Sequence, residues 1–363
     1  MNVLITTLVV LSIAIIAIVI LLFVVRIMYN RSLRKDKYDL LKYLIEHKSR
    51  ISINIKENGK DTLSINTHQT FPLASTVKIV IAYCLVKQVN NGETDLNDEV
   101  KLSDVDCLYI PNTDGGAHIQ WKESIDFPEY VSLLDIAKGM MKFSSNACTD
   151  FLINRIGLDK INNSIEILQM HKHSKLNYLT PTLLIPGYLS NKRKIAWEKL
   201  NSMNNDVYHK ISKDIFQHMK TSNVNQLKQH APKMLNKKMQ LLINNRLPSS
   251  TTKEYCDLLY RIGNDLLNKK EKKLFSDIVL GESTKQGNDR YFWYKGGATL
   301  FVLTSALYRE TQDSNISVSL FIQDNKSEDL YWIRGIFNQF ILNVAKDDQF
   351  RERVKTELSM STH

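Results

Sequence analysis

A serine and a lysine stand one helical turn apart at the start of an apolar run, in the segment FPLASTVKIVIAYCLVKQV at residues 71–89. Ser75 and Lys78 are at positions i and i+3 of the predicted helix, so their side chains lie on one face. Burial lowers the pKa of a lysine, and a neutral amine can accept the proton of a serine hydroxyl. The pair therefore predicts a nucleophile with its base. The spacing also fits a serine that caps the helix and a lysine whose ammonium group reaches solvent.

Two further segments carry residues that suit the same chemistry. Ser144 and Asn146 fall inside the apolar helical pattern GMMKFSSNACTDFLINRIG, and Lys295 precedes Gly296 and Gly297 in the strand pattern YFWYKGGATL. Glycines in a strand let a ligand approach the backbone closely, although they also mark β-bulges. Each element is weak on its own, because Ser-x-x-Lys and Ser-x-Asn recur elsewhere in the chain. Their fixed order along the chain is what makes them informative together.

In this order the three elements resemble the SxxK, S-D-N and K-T-G motifs of the penicillin-recognising serine hydrolases, most closely class A β-lactamases. YIPNT at residues 109–113 resembles the family's Y-S-P-x-T segment, and SSTTKEYCDLLYRI at residues 249–262 resembles the helix after its omega loop. The resemblance covers about residues 45–345. It implies an α/β fold, in which an antiparallel sheet built from both chain ends has flanking helices and an all-helical lobe. The periodicity of the chain predicts the same arrangement of strands and helices.

The resemblance implies catalytic roles for four residues. Ser75 would be the acylated nucleophile and Lys78 its base or proton relay. Ser144 would pass the proton to the leaving atom. Lys295 would supply positive charge for Ser144 and for an anionic group of the substrate.

The resemblance also implies how the substrate is held. Asn146 would bind a substrate amide, and Tyr109 would line the entrance. The backbone N–H of Ala298, with that of the nucleophile, would form an oxyanion hole. Gly296 and Gly297 would leave room for the substrate along the strand.

Three departures from the family pattern bear on the substrate. Gly296 replaces a serine or threonine whose hydroxyl helps to bind the β-lactam carboxylate, and Ser145 replaces the aspartate of S-D-N. Residues 157–250 form a divergent insertion that replaces the omega-loop region, and the family's E-x-x-L-N motif lacks its usual spacing there. The nearest candidate for the deacylating base is Glu198, in WEKLN at residues 197–201. Glu198 also fits an ordinary exposed glutamate of a helix.

Residues 3–25 are an apolar run without charge or proline, long enough to cross a bilayer core of about 30 Å. The run is too long for a cleaved signal peptide and has no basic segment before it. We expect a single-pass anchor at residues 1–28, a basic juxtamembrane helix at 29–48, a catalytic domain at 49–350 and a tail at 351–363. The basic residues after the anchor favour a cytoplasmic domain, whereas envelope substrates favour an extracellular one, which we expect.

Composition limits the other classes of function. The four cysteines form no CxxC pair, and HKH at residues 171–173 has no partner ligands at metal-binding spacing, so neither a metal nor a cofactor is expected. The net charge of +10 suits an anionic wall polymer or membrane surface. Nucleic acid is not an expected partner, because no recognisable binding module is present. The oligomeric state is not predicted.

The sequence thus predicts a membrane-anchored active-site-serine hydrolase, acylated on Ser75, that hydrolyses a β-lactam or a related cell-envelope ester or amide. The alternative is a penicillin-binding or sensor domain that stays acylated, since no deacylating carboxylate is evident. The lifetime of the acyl-enzyme distinguishes the two.

Overall fold

The computed structural model describes residues 35–221, 224–280 and 289–360, together with several residues between positions 11 and 20. These last are helical, and their apolar side chains are exposed. Most of the predicted anchor at residues 1–28 lies outside the described residues. Within the part of the chain that is described, no helix is both long and apolar enough to cross a bilayer.

A five-stranded antiparallel sheet, in the order β2-β1-β9-β8-β7, lies at the centre of the fold. Strands from both ends of the chain share it, as predicted, because β1 pairs with β9 and Ile51 lies opposite Ile322. Two short two-stranded ladders, β3 with β6 and β4 with β5, lie outside this sheet. The strands of the described chain are β1 (Ile51–Glu57), β2 (Lys60–Ile65), β3 (Phe71–Pro72), β4 (Glu99–Lys101), β5 (Tyr130–Ser132), β6 (Ser249–Ser250), β7 (Tyr291–Ala298), β8 (Val302–Glu310) and β9 (Asn315–Gln323).

Helices surround the sheet and make up most of the middle of the chain. Those described are α1 (Lys37–Glu46), α2 (Lys78–Asn90), α3 (Leu102–Asp106), α4 (Ala117–Ser124), α5 (Leu133–Lys138), α6 (Asn146–Ile156), α7 (Leu158–Ile167), α8 (Thr180–Leu189), α9 (Arg193–Ser202), α10 (Asn205–Thr221), α11 (Asn225–Met234), α12 (Lys237–Asn244), α13 (Thr252–Arg261), α14 (Lys269–Leu280), α15 (Leu330–Lys346) and α16 (Asp348–Met360). Helices α7 to α12 occupy the divergent insertion at residues 157–250.

One face of the sheet packs against helices from both chain ends. The alternation in β1 places Ile51, Ile53 and Ile55 in one apolar cluster with buried side chains of α1, α15 and α16. The expected juxtamembrane helix is therefore α1, with Leu40 and Leu44 fully buried. The segment expected as a tail is helical through Met360, so the packed fold extends beyond residue 350.

The other apolar cluster joins the second face of the sheet to the helical lobe, and α2 lies in its middle. Residues 79–86 of α2 are all buried or nearly so, which explains why the helix is apolar on every side. The apolar helical pattern at residues 139–157 predicts an uninterrupted helix through Ser144. The structure instead has α5, a π-helical turn at Gly139–Phe143 and α6, because Ser144 has φ +71° and Ser145 begins α6 as its N-cap.

Candidate active site

A cleft of about 960 Å³ lies between β7 and the helical lobe. Its lining includes seven of the predicted site residues. These are Ser75, Ser144, Asn146, Lys295, Gly296, Gly297 and Ala298. The structure therefore brings together the three motifs, which are separated by more than 60 residues along the chain in each case.

Ser75 lies in the short 3₁₀ turn Ala74–Val77 that leads into α2. The residue before it, Ala74, has φ +45°, a backbone conformation that L-residues adopt only when the surrounding structure imposes it. Within the described chain the Ser75 hydroxyl makes no hydrogen bond, and Ser75 is only half-buried. The hydroxyl is thus available to a molecule in the cleft.

Lys78 is fully buried behind Ser75, and its amine is directed at the start of α6. The Nζ atom donates to the Ser144 carbonyl oxygen at 2.6 Å, to the Asn146 Oδ1 at 3.0 Å and to the Ser144 Oγ at 3.2 Å. Burial, and then the charge of Lys295, hold the pKa of Lys78 well below its usual range. The hydrogen bond between Lys78 and Ser75 expected from the sequence is not formed, because the amine is engaged by these oxygens.

Ser144 stands between two lysine amines. Lys295, in β7, is 5% exposed and its Nζ donates to the Ser144 Oγ at 3.0 Å, on which Lys78 also converges. Burial lowers the pKa of Lys295 to about 8. The left-handed backbone at Ser144 turns its side chain between the two amines by ending the preceding helix. This arrangement can move a proton between Lys78 and an atom in the cleft.

The backbone of β7 approaches Ser75 so closely that only glycine fits at position 297. A Cβ on Gly297 would lie 2.6 Å from the Ser75 backbone nitrogen and 2.7 Å from the Leu73 carbonyl oxygen. The next residue, Ala298, lines the cleft. The backbone of the turn that carries Ser75 therefore lies beside the backbone of β7, where the resemblance places the oxyanion hole.

Tyr294 places a hydroxyl beside Gly296, where this chain lacks the serine or threonine hydroxyl of the family pattern. Residues two apart in a strand share a face, and a Cβ on Gly296 would lie 2.7 Å from the Tyr294 Oη. That Oη donates to the Asn338 Oδ1 of α15 at 2.5 Å, and burial raises the pKa of Tyr294. The motif search missed Tyr294, although its position two residues before Gly296 in the strand was the available signal.

Three predicted residues are absent from the described cleft lining, and one of them is Lys78, which is buried behind Ser75. Tyr109 is half-buried and stacks on His118, with ring centroids 4.6 Å apart, while Thr113–Gly115 form this part of the lining. Glu198 is exposed on α9 and is absent from the lining. Among the described residues, the only carboxylate in the lining is that of Asp114, whose oxygens accept the N–H groups of Gly116 and His118 at the start of α4.

A buried carboxylate, Asp150, ties the divergent insertion to the site. It lies one helical turn after Asn146 and accepts the backbone N–H of Leu179 at 2.6 Å and of Thr180 at 2.8 Å, as well as the Thr180 hydroxyl. Burial raises the pKa of Asp150 to about 6. It thereby holds the start of α8, whose Thr182 and neighbouring leucines line the cleft. A polar residue on the apolar face of α6 was the signal that could have identified it.

A second buried network supports the turn that carries Ser144. The His118 ring is fully buried, with Nδ1 2.9 Å from the Ser145 Oγ and Nε2 2.8 Å from the Asp106 Oδ1. Lys122 donates to the other oxygen of Asp106 at 2.6 Å. The Ser145 hydroxyl also caps α6 by accepting the Cys148 N–H. Sequence reasoning had not assigned a function to these residues.

The described residues contain no group of three or more His, Cys, Asp or Glu side chains that could hold a metal ion. The four cysteines are free, and three of them are buried. Burial raises the pKa of Cys84 to about 11 and of Cys256 to about 12, so these thiols behave as small apolar side chains.

Comparison with solved structures shows the same fold in serine β-lactamases and a penicillin-binding protein. TLA-3 extended-spectrum β-lactamase is 14% identical and aligns over 90% of this chain and 98% of its own, with a TM-score of 0.53. A β-lactamase from Chitinophaga pinensis is 13% identical over 85% of this chain and 98% of its own, with a TM-score of 0.52. A mutant of PBP-A, in an acyl-enzyme complex with penicillin G, is 14% identical over 90% and 97%, with a TM-score of 0.50.

The fold and the ordered motifs define a member of the penicillin-recognising serine hydrolase superfamily. Residues 38–292 match the model of the Beta-lactamase enzyme family, so the chain belongs to that family. The match ends before Lys295, so the assignment of Lys295–Ala298 rests on the motif and on the geometry of the cleft. No curated protein matches the chain.

Proposed function

We propose that this chain is an active-site-serine hydrolase that forms an acyl-enzyme on Ser75, with a β-lactam or a related cell-envelope ester or amide as the acyl donor. The observation that carries the proposal is the convergence of two buried amines, those of Lys78 and Lys295, on the Ser144 hydroxyl in the cleft that Ser75 lines. Burial lowers the pKa of Lys78, which favours its role as a base, and the Lys295 amine places positive charge where a substrate anion would lie.

In the acylation step Lys78 acts as the neutral amine, which has given up one of its three donated hydrogen bonds and has a free lone pair. The Ser75 Oγ attacks the substrate carbonyl carbon, and that lone pair takes the hydroxyl proton. The backbone N–H groups of Ser75 and Ala298 stabilise the negative charge that develops on the carbonyl oxygen. The bond to the leaving nitrogen or oxygen then breaks, and that atom receives the proton from Lys78 through the Ser144 hydroxyl. Catalytic hydrogen bonds commonly form only in the substrate complex, and the Ser75–Lys78 hydrogen bond belongs to that state.

A second candidate, a penicillin-binding or sensor domain that stays acylated, is favoured by the lining of the cleft. Hydrolysis of the acyl-enzyme needs a base for the incoming water. Glu198 is outside the cleft, and Asp114, the only carboxylate in the described lining, already accepts two backbone N–H groups. We therefore expect a β-lactam adduct to clear slowly, because the described lining offers the incoming water no unengaged carboxylate.

Intact-protein mass spectrometry over time tests the proposal. The chain is mixed with a fluorescent penicillin or with an activated ester, and the mass added to the protein is followed. We expect a one-to-one adduct that is lost in Ser75→Ala and kept in Ser202→Ala. Ser202 is the control because it is exposed on α9 and is not part of the described cleft lining. An adduct that survives Ser75→Ala would contradict the assignment of the nucleophile.

The lifetime of the adduct separates the two candidates. Fast clearance of the penicillin adduct indicates a β-lactamase, and a persistent adduct indicates a sensor or penicillin-binding protein. Ester turnover without any penicillin adduct indicates an envelope esterase. Absence of an adduct with both reagents would reject the acyl-enzyme proposal.

We also propose that residues 1–28 anchor the chain in the cell membrane and that the catalytic domain faces outward, where envelope substrates lie. The family relationship and the uncharged run at residues 3–25 support this. Protease added to intact cells should digest the domain. Protection of the domain until the cells are lysed would place it in the cytoplasm instead.

A further inference from the structure

Asn244, the last residue of α12, lies in the cleft wall that the divergent insertion supplies. The residue is 2% exposed, and its Oδ1 accepts the Thr299 hydroxyl at 2.6 Å. Its Nδ2 has no hydrogen-bond partner within the described chain. Buried donors are almost always paired in folded proteins, so this one needs an explanation.

The orientation of the Asn244 amide follows from the hydrogen bonds of Thr299. The Thr299 Oγ1 accepts the backbone N–H groups of Phe301 and Val302, each at 3.1 Å. A hydroxyl has one hydrogen and two lone pairs, so the single hydrogen of Thr299 is left for an acceptor. The Asn244 atom facing Thr299 is therefore the carbonyl oxygen, and the unpaired atom is the NH₂ nitrogen.

Gln240 lies one helical turn before Asn244 and also lines the cleft. Its Nε2 donates to the Leu235 carbonyl oxygen at 2.7 Å, which leaves its Oε1 as an acceptor. The wall thus contains one unpaired N–H donor, which is itself buried, and one C=O acceptor a helical turn away, and Leu235 and Leu247 belong to the same lining. A secondary amide, which has one acceptor and one donor, matches this pair.

This wall is adjacent to the nucleophile and to the oxyanion hole. Thr299 follows Ala298 directly, so Asn244 is joined by one hydrogen bond to the residue after the proposed oxyanion donor. On the other side, the Pro248 carbonyl oxygen accepts the Leu73 N–H at 2.8 Å, two residues before Ser75. An acyl chain bound to Ser75 would therefore pass along α12.

We propose that Asn244 and Gln240 bind a secondary amide in the acyl part of the substrate, separate from the amide assigned to Asn146. The preferred substrate is then a peptidyl donor whose acyl part contains at least two amides. This inference rests on the proposed function, since it deepens the substrate class of the same cleft.

Two matched probe pairs test the inference on the full chain. The acylation pair is the phenyl thioesters of N-acetylglycylglycine and of N-pentanoylglycine, which differ only in that an ethylene unit replaces the outer amide. The binding pair is the corresponding unreactive primary amides, followed by ligand-observed NMR. The thioesters report acylation of Ser75, and the primary amides report binding in the cleft without acylation.

We expect wild type to prefer the two-amide member of each pair by about tenfold, as the pairing of a neutral donor and acceptor provides. Asn244→Asp keeps an acceptor for Thr299 and removes the donor, so it should abolish most of that preference, and Gln240→Met should reduce it. Asn177→Asp is the matched control. Asn177 is 4% exposed and its Nδ2 is also unpaired, but it is not part of the described cleft lining.

The outcomes distinguish the two proposals. If the wild-type protein binds the two primary amides with equal affinity, or binds neither of them, the amide site is overturned without any variant being needed. A preference that Asn244→Asp and Gln240→Met leave intact, or that Asn177→Asp abolishes equally, also overturns it. Preferential binding of the two-amide compound without acylation by either thioester would support the amide site and reject the acyl-enzyme proposal.

Discussion

Lys78 and Lys295 have the same side chain, but their surroundings give the two amines different pKa values. Both are buried and both converge on Ser144, but Lys78 also experiences the charge of Lys295, which lowers its pKa further. Lys78 is therefore the amine that loses its proton first as pH rises. Lys295, with a pKa of about 8, keeps its charge at neutral pH for longer.

The rate of Ser75 acylation should depend on pH with a bell-shaped profile. Below the lowered pKa of Lys78 the base is protonated and the rate falls with falling pH. Above about pH 8 Lys295 loses its charge, so the rate falls again, most steeply for an anionic penicillin. Stopped-flow acylation with a penicillin and with an uncharged ester measures both limbs. An alkaline limb that persists in Lys295→Met would assign it to another group.

Gly297→Ala should reduce acylation by about 10²-fold or more, the effect of losing one oxyanion-hole donor. The added Cβ would lie 2.6 Å from the Ser75 backbone nitrogen, so one backbone must move away from the other. The measurement is the second-order rate of adduct formation. Gly335→Ala in α15 is the control, because a Cβ there meets nothing within 4 Å. It should leave acylation unchanged, and equal loss in both variants would refute the steric argument.

Sequence reasoning identified the residues whose chemistry is local, and it missed those whose role depends on contacts across the fold. Ser75, Ser144 and Lys295 were recognisable from motif order. The engagement of the Lys78 amine by Ser144 was not, because it depends on a left-handed residue that interrupts an otherwise regular helical pattern. Tyr294 was missed because its hydroxyl reaches the cleft only in the space that Gly296, which has no side chain, leaves beside it.

At the scale of elements, the site is assembled by a few connections between segments that are far apart in sequence. Asp150 of α6 holds the start of α8, and Asn244 of α12 is bonded to the β7–β8 turn. Helical periodicity predicted helices in the middle of the chain, but it contains no information about which helix contacts which. Glu198 illustrates this limit. The helix that carries Glu198 could be predicted from the sequence, but the position of that helix relative to the cleft could not.

Asp150→Asn should destabilise the protein by about 1–3 kcal/mol, the effect of leaving buried donors unpaired. The carboxylate accepts from Leu179 and Thr180 through both oxygens, and an amide would direct an NH₂ group at one of these donors. Urea unfolding measures the change. Asp159→Asn, at an exposed position on α7, is the control and should stay within about 0.5 kcal/mol.

The pKa of Asp150 adds a pH dependence to the same measurement. Its folded-state pKa, about 6, is raised above the ordinary value of 3.8. The folded state therefore binds the proton more tightly, and this contribution to stability is present below pH 3.8 and lost as pH rises through about 6. Asp150→Asn should remove that slope. A slope between pH 4 and 6 that the variant retains would belong to other carboxyls.

At the scale of the whole molecule, both ends of the stretch from residue 35 to residue 360 are part of the core. Leu40 and Leu44 of α1 pack in one apolar cluster with Val354 and Leu358 of α16, behind the central sheet. The sequence predicts a tail at residues 351–363, whereas Val354 and Leu358 form a buried stripe in the described part of that segment.

Leu358→Ala should cost about 2–5 kcal/mol of unfolding free energy, as expected for a fully buried leucine. Met360→Ala, two residues later, changes a side chain that is 73% exposed and should cost less than about 0.5 kcal/mol. Thermal or urea unfolding of both variants measures the difference. Similar small effects at both positions would show that α16 does not support the fold in solution.

The pairing of β1 with β9 also determines when the chain can fold. Ile51 of β1 lies opposite Ile322 of β9, so β1 has no partner on that side until nearly the whole chain has been synthesised. Contacts this distant in sequence form late, because a long loop must close first. A ribosome product that stops before Asn315 would leave both β1 and β8 with an open edge, which is prone to aggregate. The five-stranded sheet should therefore be completed only near the end of synthesis, after the helical lobe has left the ribosome.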